Sequence, residues 1–367
     1  MRVLFVSHSS VLEAHQHKLR ILATKHGVEV HLVTPSYWYE GGVRVDVYRG
    51  NKELRYIQPF TPVFKNRLFH LYYGVPGLVR RVAPDIVHVE EEPFMPVCWQ
   101  FLSAARRHDA RTLFFTWENV DPPRNSLYAH CDRSCIAHAD AVIAGNEDAK
   151  SILLRKGCTV PVSVIPQYGV TLEDFLPRPI AHPEGTVQIA YVGRIIPEKG
   201  IETLLAAAPG VQNARIHIAG TGEARYVERI RRLAVDLGLA DRVEFHGHIS
   251  RDAMPEFLSR MHVLVLPSLT TRVWKEQFGR VLIEAMAARV AVVGSDSGEI
   301  GHVLDGGAGL VFREGDARDL REKLSSLITL PGRFETLVEN GYAKAASRYT
   351  NEAIADAIHG IYTSLLQ

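Results

Sequence analysis

With 367 residues, 46% of them hydrophobic and 23% charged, the sequence has the composition of a globular protein too long for one ordinary hydrophobic core. A formal net charge of +1 gives no basis for bulk nucleic-acid binding, and four Cys are too few for a disulfide scaffold. No apolar run reaches the roughly 20 residues that span a bilayer, and Met1-Arg2 runs straight into VLFV without a signal-peptide pattern, so the cytoplasm is the expected compartment.

Short β-branched runs predict strands at residues 3–7, 28–34, 86–90, 112–116, 141–144 and 163–166. A second series follows at 188–192, 215–219, 243–246, 263–266, 290–294 and 309–312. Apolar residues at helical spacing lie between them, for example at 201–208, 226–237, 281–288 and 320–327, and again at 351–366. Strand and helix alternating twice over predict an α/β protein of two Rossmann-like domains, each a doubly wound parallel sheet, facing across a cleft. The first domain is expected at 1–170 and the second at 187–348. Between them lies a linker, 171–186, which holds Pro177, Pro179 and Pro183. The C-terminal helix, 349–367, is free to pack back on the first domain.

Two motifs carry chemistry. Gly193-Arg194-Ile195-Ile196-Pro197-Glu198-Lys199-Gly200 directly follows the strand QIAYV. Gly193 permits a sharp turn and Gly200 opens a helix, so Arg194 and Lys199 become two cations on one loop at the mouth of a sheet. A diphosphate leaving group needs such a pair, although a solvated basic loop with a capping glycine fits the same residues. The second motif, Trp274-Lys275-Glu276-Gln277-Phe278-Gly279-Arg280 with Glu284, follows VLVLP. Gly279 starts a helix whose free N–H groups, around Phe278, Gly279 and Arg280, make an anion site. Glu276 stays on the loop, where it can accept hydrogen bonds from sugar hydroxyls, and Glu284 in the second turn can accept them from ribose. An amphipathic helix accounts for Glu284 but not for the Trp-Lys-Glu-Gln-Phe-Gly lead-in.

In this order and at this separation the two motifs resemble glycosyltransferase family 4, retaining nucleotide-sugar enzymes with the GT-B fold. PDIVHVEEEP, ADAVIAGNEDA and VIPQYGV upstream are similar to bacterial members tied to polysaccharide assembly. The resemblance implies that Arg194 and Lys199 bind the donor diphosphate, Glu276 the donor sugar and Glu284 the ribose. Gly193, Phe278, Gly279 and Arg280 line the same site. Gly220 lies in a base- and phosphate-side loop, and the base rests against Gly247, His248 and Ile249. It further implies a uridine- or guanosine-linked donor, a hydroxyl acceptor that includes lipid-linked glycans, and no metal or other cofactor.

The sequence departs from the family pattern in two places. The first strand leads into His8-Ser9-Ser10 rather than a Gly-Gly turn. Lys18 could substitute for the missing backbone approach to phosphate, but a helix-surface lysine is the expected reading. Glu118 stands where many relatives carry His. It is a candidate catalytic residue that orients an acceptor hydroxyl or holds a proton, and pairing with a nearby cation fits it equally. The adjacent Glu90, Glu91 and Glu92 read as a solvated turn. His130, Cys131, Cys135 and His138 have metal-ligand chemistry, but one helix carries all four, so a structural helix is expected. Between Arg49 and Arg81 seven basic residues (Arg49, Lys52, Arg55, Lys65, Arg67, Arg80, Arg81) meet one acid, Glu53, among Phe60, Phe64, Phe69, Tyr72 and Tyr73. That stretch suits an anionic acceptor, peripheral contact with the inner membrane face, or a solvated surface. A nucleotide-sugar-binding protein or a GT-B epimerase without transfer activity remains the alternative function.

Overall fold

The computed structural model describes residues 1–40, 42–63, 69–175, 182–183, 185–330 and 332–367. The chain divides into one unit of residues 1–169 and 351–367 and a second of residues 170–350.

In the first unit the strands are β1 (Arg2–Val6), β2 (Glu29–Val33), β3 (Tyr37–Glu40), β4 (Val43–Asp46), β5 (Arg55–Ile57), β6 (Ile86–Val89), β7 (Arg111–Thr116), β8 (Ala141–Ala144) and β9 (Val162–Val164). Seven form a parallel sheet in the order β5-β2-β1-β6-β7-β8-β9, and β3 pairs antiparallel with β4. The central strands β6 and β8 are buried along their whole length because helices cover both faces. One face packs Leu4, Val6, Val87 and Phe114 against Phe101 and Leu102. On the other, Val3, Phe5 and Ile86 meet Leu19 and Leu22 together with Ile354, Ala355, Ile358 and Tyr362. These last four belong to the C-terminal helix Asn351–Leu366. Its register is pinned by Tyr362, whose hydroxyl lies 2.7 Å from Nδ1 of the buried His88.

All six strands expected in this half are present. Three further strands, β3, β4 and β5, were not anticipated. β5 is three residues of mixed polarity at the sheet edge, inside the basic stretch, and a strand that short leaves no periodicity to read. Within that stretch Phe60 and Tyr73 are exposed with ring centroids 5.3 Å apart. Arg80 and Arg81 end the helix Val75–Val82 on its solvent side, whereas Phe64, Lys65 and Arg67 lie outside the described residues. Among the described residues no helix is long and apolar enough to cross a membrane.

The second unit holds β10 (Val187–Val192), β11 (Ala214–Ala219), β12 (Val243–Gly247), β13 (Val263–Leu266), β14 (Ala291–Ser295) and β15 (Leu310–Phe312), all parallel, in the order β12-β11-β10-β13-β14-β15. Here the expected strands are all present to within a residue or two. The winding reverses between β10 and β13, so the loops leaving these neighbours meet at the carboxyl edge, where open α/β sheets place ligands. Residues 170–175 belong to this unit through a bridge from Val170 to Thr350, while 176–181 and 184, including Pro177 and Pro179, lie outside the described residues.

Candidate active site in the second unit

From β10 the chain turns at Gly193 and forms a single 3-10 turn, Pro197–Lys199, before the helix Ile201–Ala207. Gly200 between them has φ +62°, and a Cβ there would overlap the carbonyl oxygen of Pro267 just beyond β13. Leu269 N donates to Glu198 O at 2.8 Å, which ties the two loops together. Lys199 is thereby aimed across the switch point at Glu276.

The contact is close. Lys199 Nζ donates to Glu276 Oε2 at 2.5 Å, and Ser268 Oγ donates to the same oxygen at 2.7 Å. Both charged side chains are largely buried, 12% and 9% exposed, and the ammonium lies 5.2 Å from the centroid of the Trp274 ring. A carboxylate this short of water is affordable only because cation and hydroxyl both meet it. The backbone of Glu276 is pinned as well, since Glu299 N donates to its carbonyl at 3.1 Å and Gly298, at φ +54°, passes so close that a Cβ would overlap that oxygen.

Around this pair is a cavity of about 290 Å³ lined by Gly193, Arg194, Lys199, Trp274, Glu276, Gln277, Gly279 and Arg280. Arg194 is exposed, and its carbonyl accepts from the Tyr191 hydroxyl at 2.6 Å. Gly279, in the left-handed region, caps the helix Arg280–Ala287. Glu284 follows one turn in and meets Arg280 Nε at 3.0 Å. Both line a smaller recess of about 30 Å³ with Arg251, Asp174 and Phe175. Burial raises the Glu284 carboxyl above its ordinary pKa, while Arg280 and Arg251 pull it down. The side chain of Phe278 is buried edge-on against Tyr349 at 5.6 Å. Gly220 follows β11 and donates to Gly247 O at 2.7 Å; neither Gly220 nor Gly247, His248 and Ile249 at the end of the edge strand β12 is among the residues lining these two cavities. Sequence reasoning passed over Arg251 and Ser268, and it named Trp274 in the motif without giving it a role. Arg251 stood two positions past Ile249, near enough to be found as a further cation.

The remaining candidates lie in the first unit. Glu118 follows β7 and is bound by the guanidinium of Arg124 and by Lys156 Nζ at 2.8 Å, which also reaches Asp132 at 2.7 Å. Two cations thus meet this one carboxylate, the pairing that one of its two readings expects. Lys18 is not a helix-surface lysine. It is fully buried, pairs with Glu90 and donates to Gln167 O at 2.7 Å. Burial lowers its ammonium pKa, opposed by Glu90. Nor are Glu90, Glu91 and Glu92 a solvated turn. Glu90 and Glu91 are buried, and Glu92 accepts from Thr116 Oγ1 at 2.5 Å and Trp117 N at 2.9 Å. Burial raises Glu92, whereas at Glu91 the histidines His8 and His70 outweigh burial and hold the carboxyl far below its usual range. Cys131 and Cys135 are buried free thiols on the helix Ser126–His138, and His138 Nδ1 lies 2.7 Å from Ser134 O.

Cations, a held carboxylate and a helix start thus meet at the switch point of a parallel sheet, where open α/β units place anionic ligands. Residues 173–344 match the model of glycosyl transferases group 1, and residues 12–168 match that of glycosyltransferase family 4. The chain belongs to the family 4 glycosyltransferases, with the GT-B fold. It is 30% identical to the alpha-D-kanosaminyltransferase of Streptomyces kanamyceticus over 48% of this chain and 45% of that protein. To the phosphatidylinositol N-acetylglucosaminyltransferase gpi3 subunit of Schizosaccharomyces pombe it is 24% identical over 96% of this chain and 77% of that one. The chain spans about half the length of several curated relatives it matches. Among solved structures, HepE of Anabaena in complex with UDP superposes with a TM-score of 0.75 at 16% identity, covering 99% of this chain and 100% of that one.

Proposed function

We propose that the protein transfers a hexose-type sugar from a uridine- or guanosine-linked diphosphate donor to a hydroxyl acceptor, with retention of anomeric configuration and without a metal ion. The pairing of Lys199 with Glu276 at the cavity, beside the start of the helix Arg280–Ala287, carries this reading. As the glycosidic bond breaks, negative charge gathers on the departing diphosphate. Arg194, Lys199 and Arg280 supply three positive charges there, and the helix start adds N–H donors. Those groups perform the neutralisation that a divalent cation performs in other phosphoryl chemistry.

Glu276, oriented by Lys199 and Ser268, accepts hydrogen bonds from donor-sugar hydroxyls. Glu284, set between Arg280 and Arg251, accepts them from ribose. Gly220 and the turn Gly247-His248-Ile249 receive the base. In the transfer the acceptor oxygen bonds to the anomeric carbon on the face from which the diphosphate leaves. The electron pair of the broken bond goes to the phosphate oxygen, which also takes the acceptor's proton. HepE's complex with UDP supports a nucleoside diphosphate as the ligand class.

The test is donor hydrolysis over a panel of nucleotide sugars, with and without EDTA. Slow release of nucleoside diphosphate from one donor, equal in both conditions, is expected, with the sugar's configuration retained in the product by NMR. No release from any donor overturns the proposal, and so does conversion of the sugar without nucleotide release.

A further inference from the structure

The first sheet reverses its winding between β1 and β6, so the segments leaving these two neighbours run side by side at its carboxyl edge. They carry His8 and Glu91. The buried Glu91 carboxylate accepts from His8 N at 2.7 Å, and His8 Nδ1 lies 2.7 Å from Oε2. A third stretch, ahead of the helix Val75–Val82, brings His70 Nε2 to 3.6 Å from Glu91 Oε1. The three donor atoms all lie within 4.8 Å of one another. The Trp38 ring packs against both histidines, with centroids 4.6 Å from His8 and 5.2 Å from His70.

His70 is the anomaly. It is fully buried, and among the described residues neither of its ring nitrogens has a hydrogen-bond partner. At 3.6 Å its approach to Glu91 is too long for a hydrogen bond. A buried polar group left in this state is where a missing ion or water is to be sought.

We propose that His8, His70 and Glu91 bind one divalent transition-metal ion, zinc by their chemistry. Two imidazoles and one carboxylate form a three-ligand set that leaves a fourth position for water. Ligand bonds of about 2.0–2.1 Å in a tetrahedral site separate donor atoms by roughly 3.3 Å, and the distances found here, 2.7 and 3.6 Å, lie on either side. The ion offsets the buried carboxylate charge and satisfies His70. It joins three stretches that are distant in the sequence, so its role is to staple them at the sheet edge. The proposed metal site does not rest on the transfer chemistry, which is assigned to the second unit, and holds whether or not that assignment does.

The test is a zinc titration of the full chain against a chromophoric chelator, followed by thermal unfolding with and without zinc. The protein carries His246→Ala throughout, because His217, Glu244 and His246 in the second unit are another converging set. One zinc per chain is expected, together with a higher unfolding midpoint, while magnesium gives neither. His70→Ala and Glu91→Gln each weaken binding tenfold or more, as expected for loss of one ligand in three. If Glu91→Gln does not fold, the milder His8→Gln must show the same loss. Zinc-edge X-ray absorption should give two nitrogen ligands from imidazole. Absence of zinc binding to the His246→Ala protein, or binding undiminished by His70→Ala, overturns the proposal.

Discussion

Removing Lys199, Glu276 or both probes the proposed chemistry most directly. The two side chains meet at 2.5 Å, only 12% and 9% exposed, so solvent screens their interaction weakly. Loss of one electrostatic group aimed at a transition state costs about 2.7–4 kcal/mol, or roughly 10²–10³ in rate. Lys199→Ala and Glu276→Ala should each lower donor hydrolysis by two or more orders of magnitude. The double variant should cost less than the product of the two losses. Contacting charges couple by about 0.5–3 kcal/mol, and removing Glu276 already takes away the group that orients Lys199. Nucleoside diphosphate release under saturating donor measures all four proteins, and thermal unfolding checks that each is folded. Hydrolysis within tenfold of the parent rate in either single variant refutes the site. Strictly multiplicative losses refute the pairing as a working unit.

Four further outcomes are expected. Gly298→Ala forces a Cβ into the Glu276 carbonyl at φ +54° and should lower donor affinity and stability together, whereas Gly301→Ala, with open space around it, should do neither; isothermal titration and thermal unfolding check both. Burial raises the Glu284 carboxyl, so its ionised form is lost at a higher pH than an ordinary carboxylate's; as pH falls below neutral, nucleoside diphosphate affinity should drop more steeply in the parent than in Glu284→Gln. Tyr362→Ala empties a fully buried site and strands His88, at a cost of about 3–5 kcal/mol, read as a lower denaturant midpoint for the first unit. If the basic stretch from Arg49 to Arg81 contacts a membrane face, vesicles of anionic lipid should retain the protein in flotation, and replacing Lys65, Arg67, Arg80 and Arg81 should release it; a parent protein that does not float removes that reading of the stretch.

Strand positions were legible because a buried parallel strand writes itself as a short apolar run ended by a turn, as in VQIAYV before Gly193 and VLVL before Pro267. Helix starts at Ile201 and Arg280 were legible from the glycines that precede them. The hairpin of β3 and β4 escaped because its half-exposed residues mix aromatic and charged types without a core-facing run. Charge burial was illegible for a different reason. Lys18 reads as a surface residue until Gln167, far along the chain, supplies its carbonyl, and three adjacent glutamates read as solvated until Thr116, Trp117 and two histidines arrive from other segments. Arg251 and Ser268 are likewise recognisable only once the loops after β12 and β13 are in place. For Glu118 the cations Arg124 and Lys156, which come from other segments, could not be named from its own spacing.

The placement of Ile354, Ile358 and Tyr362 in the first unit's core has a consequence for biosynthesis. That core cannot close until the ribosome has read through all of residues 170–350, so the first unit waits, incomplete, while the second is made. The second unit has both of its junctions near each other at the bridge of Val170 with Thr350 and is topologically an insertion. Exchanging it between relatives therefore requires two cuts, one before residue 170 and one after residue 350. A chimera joined at the first alone would carry a foreign helix into the first unit's core.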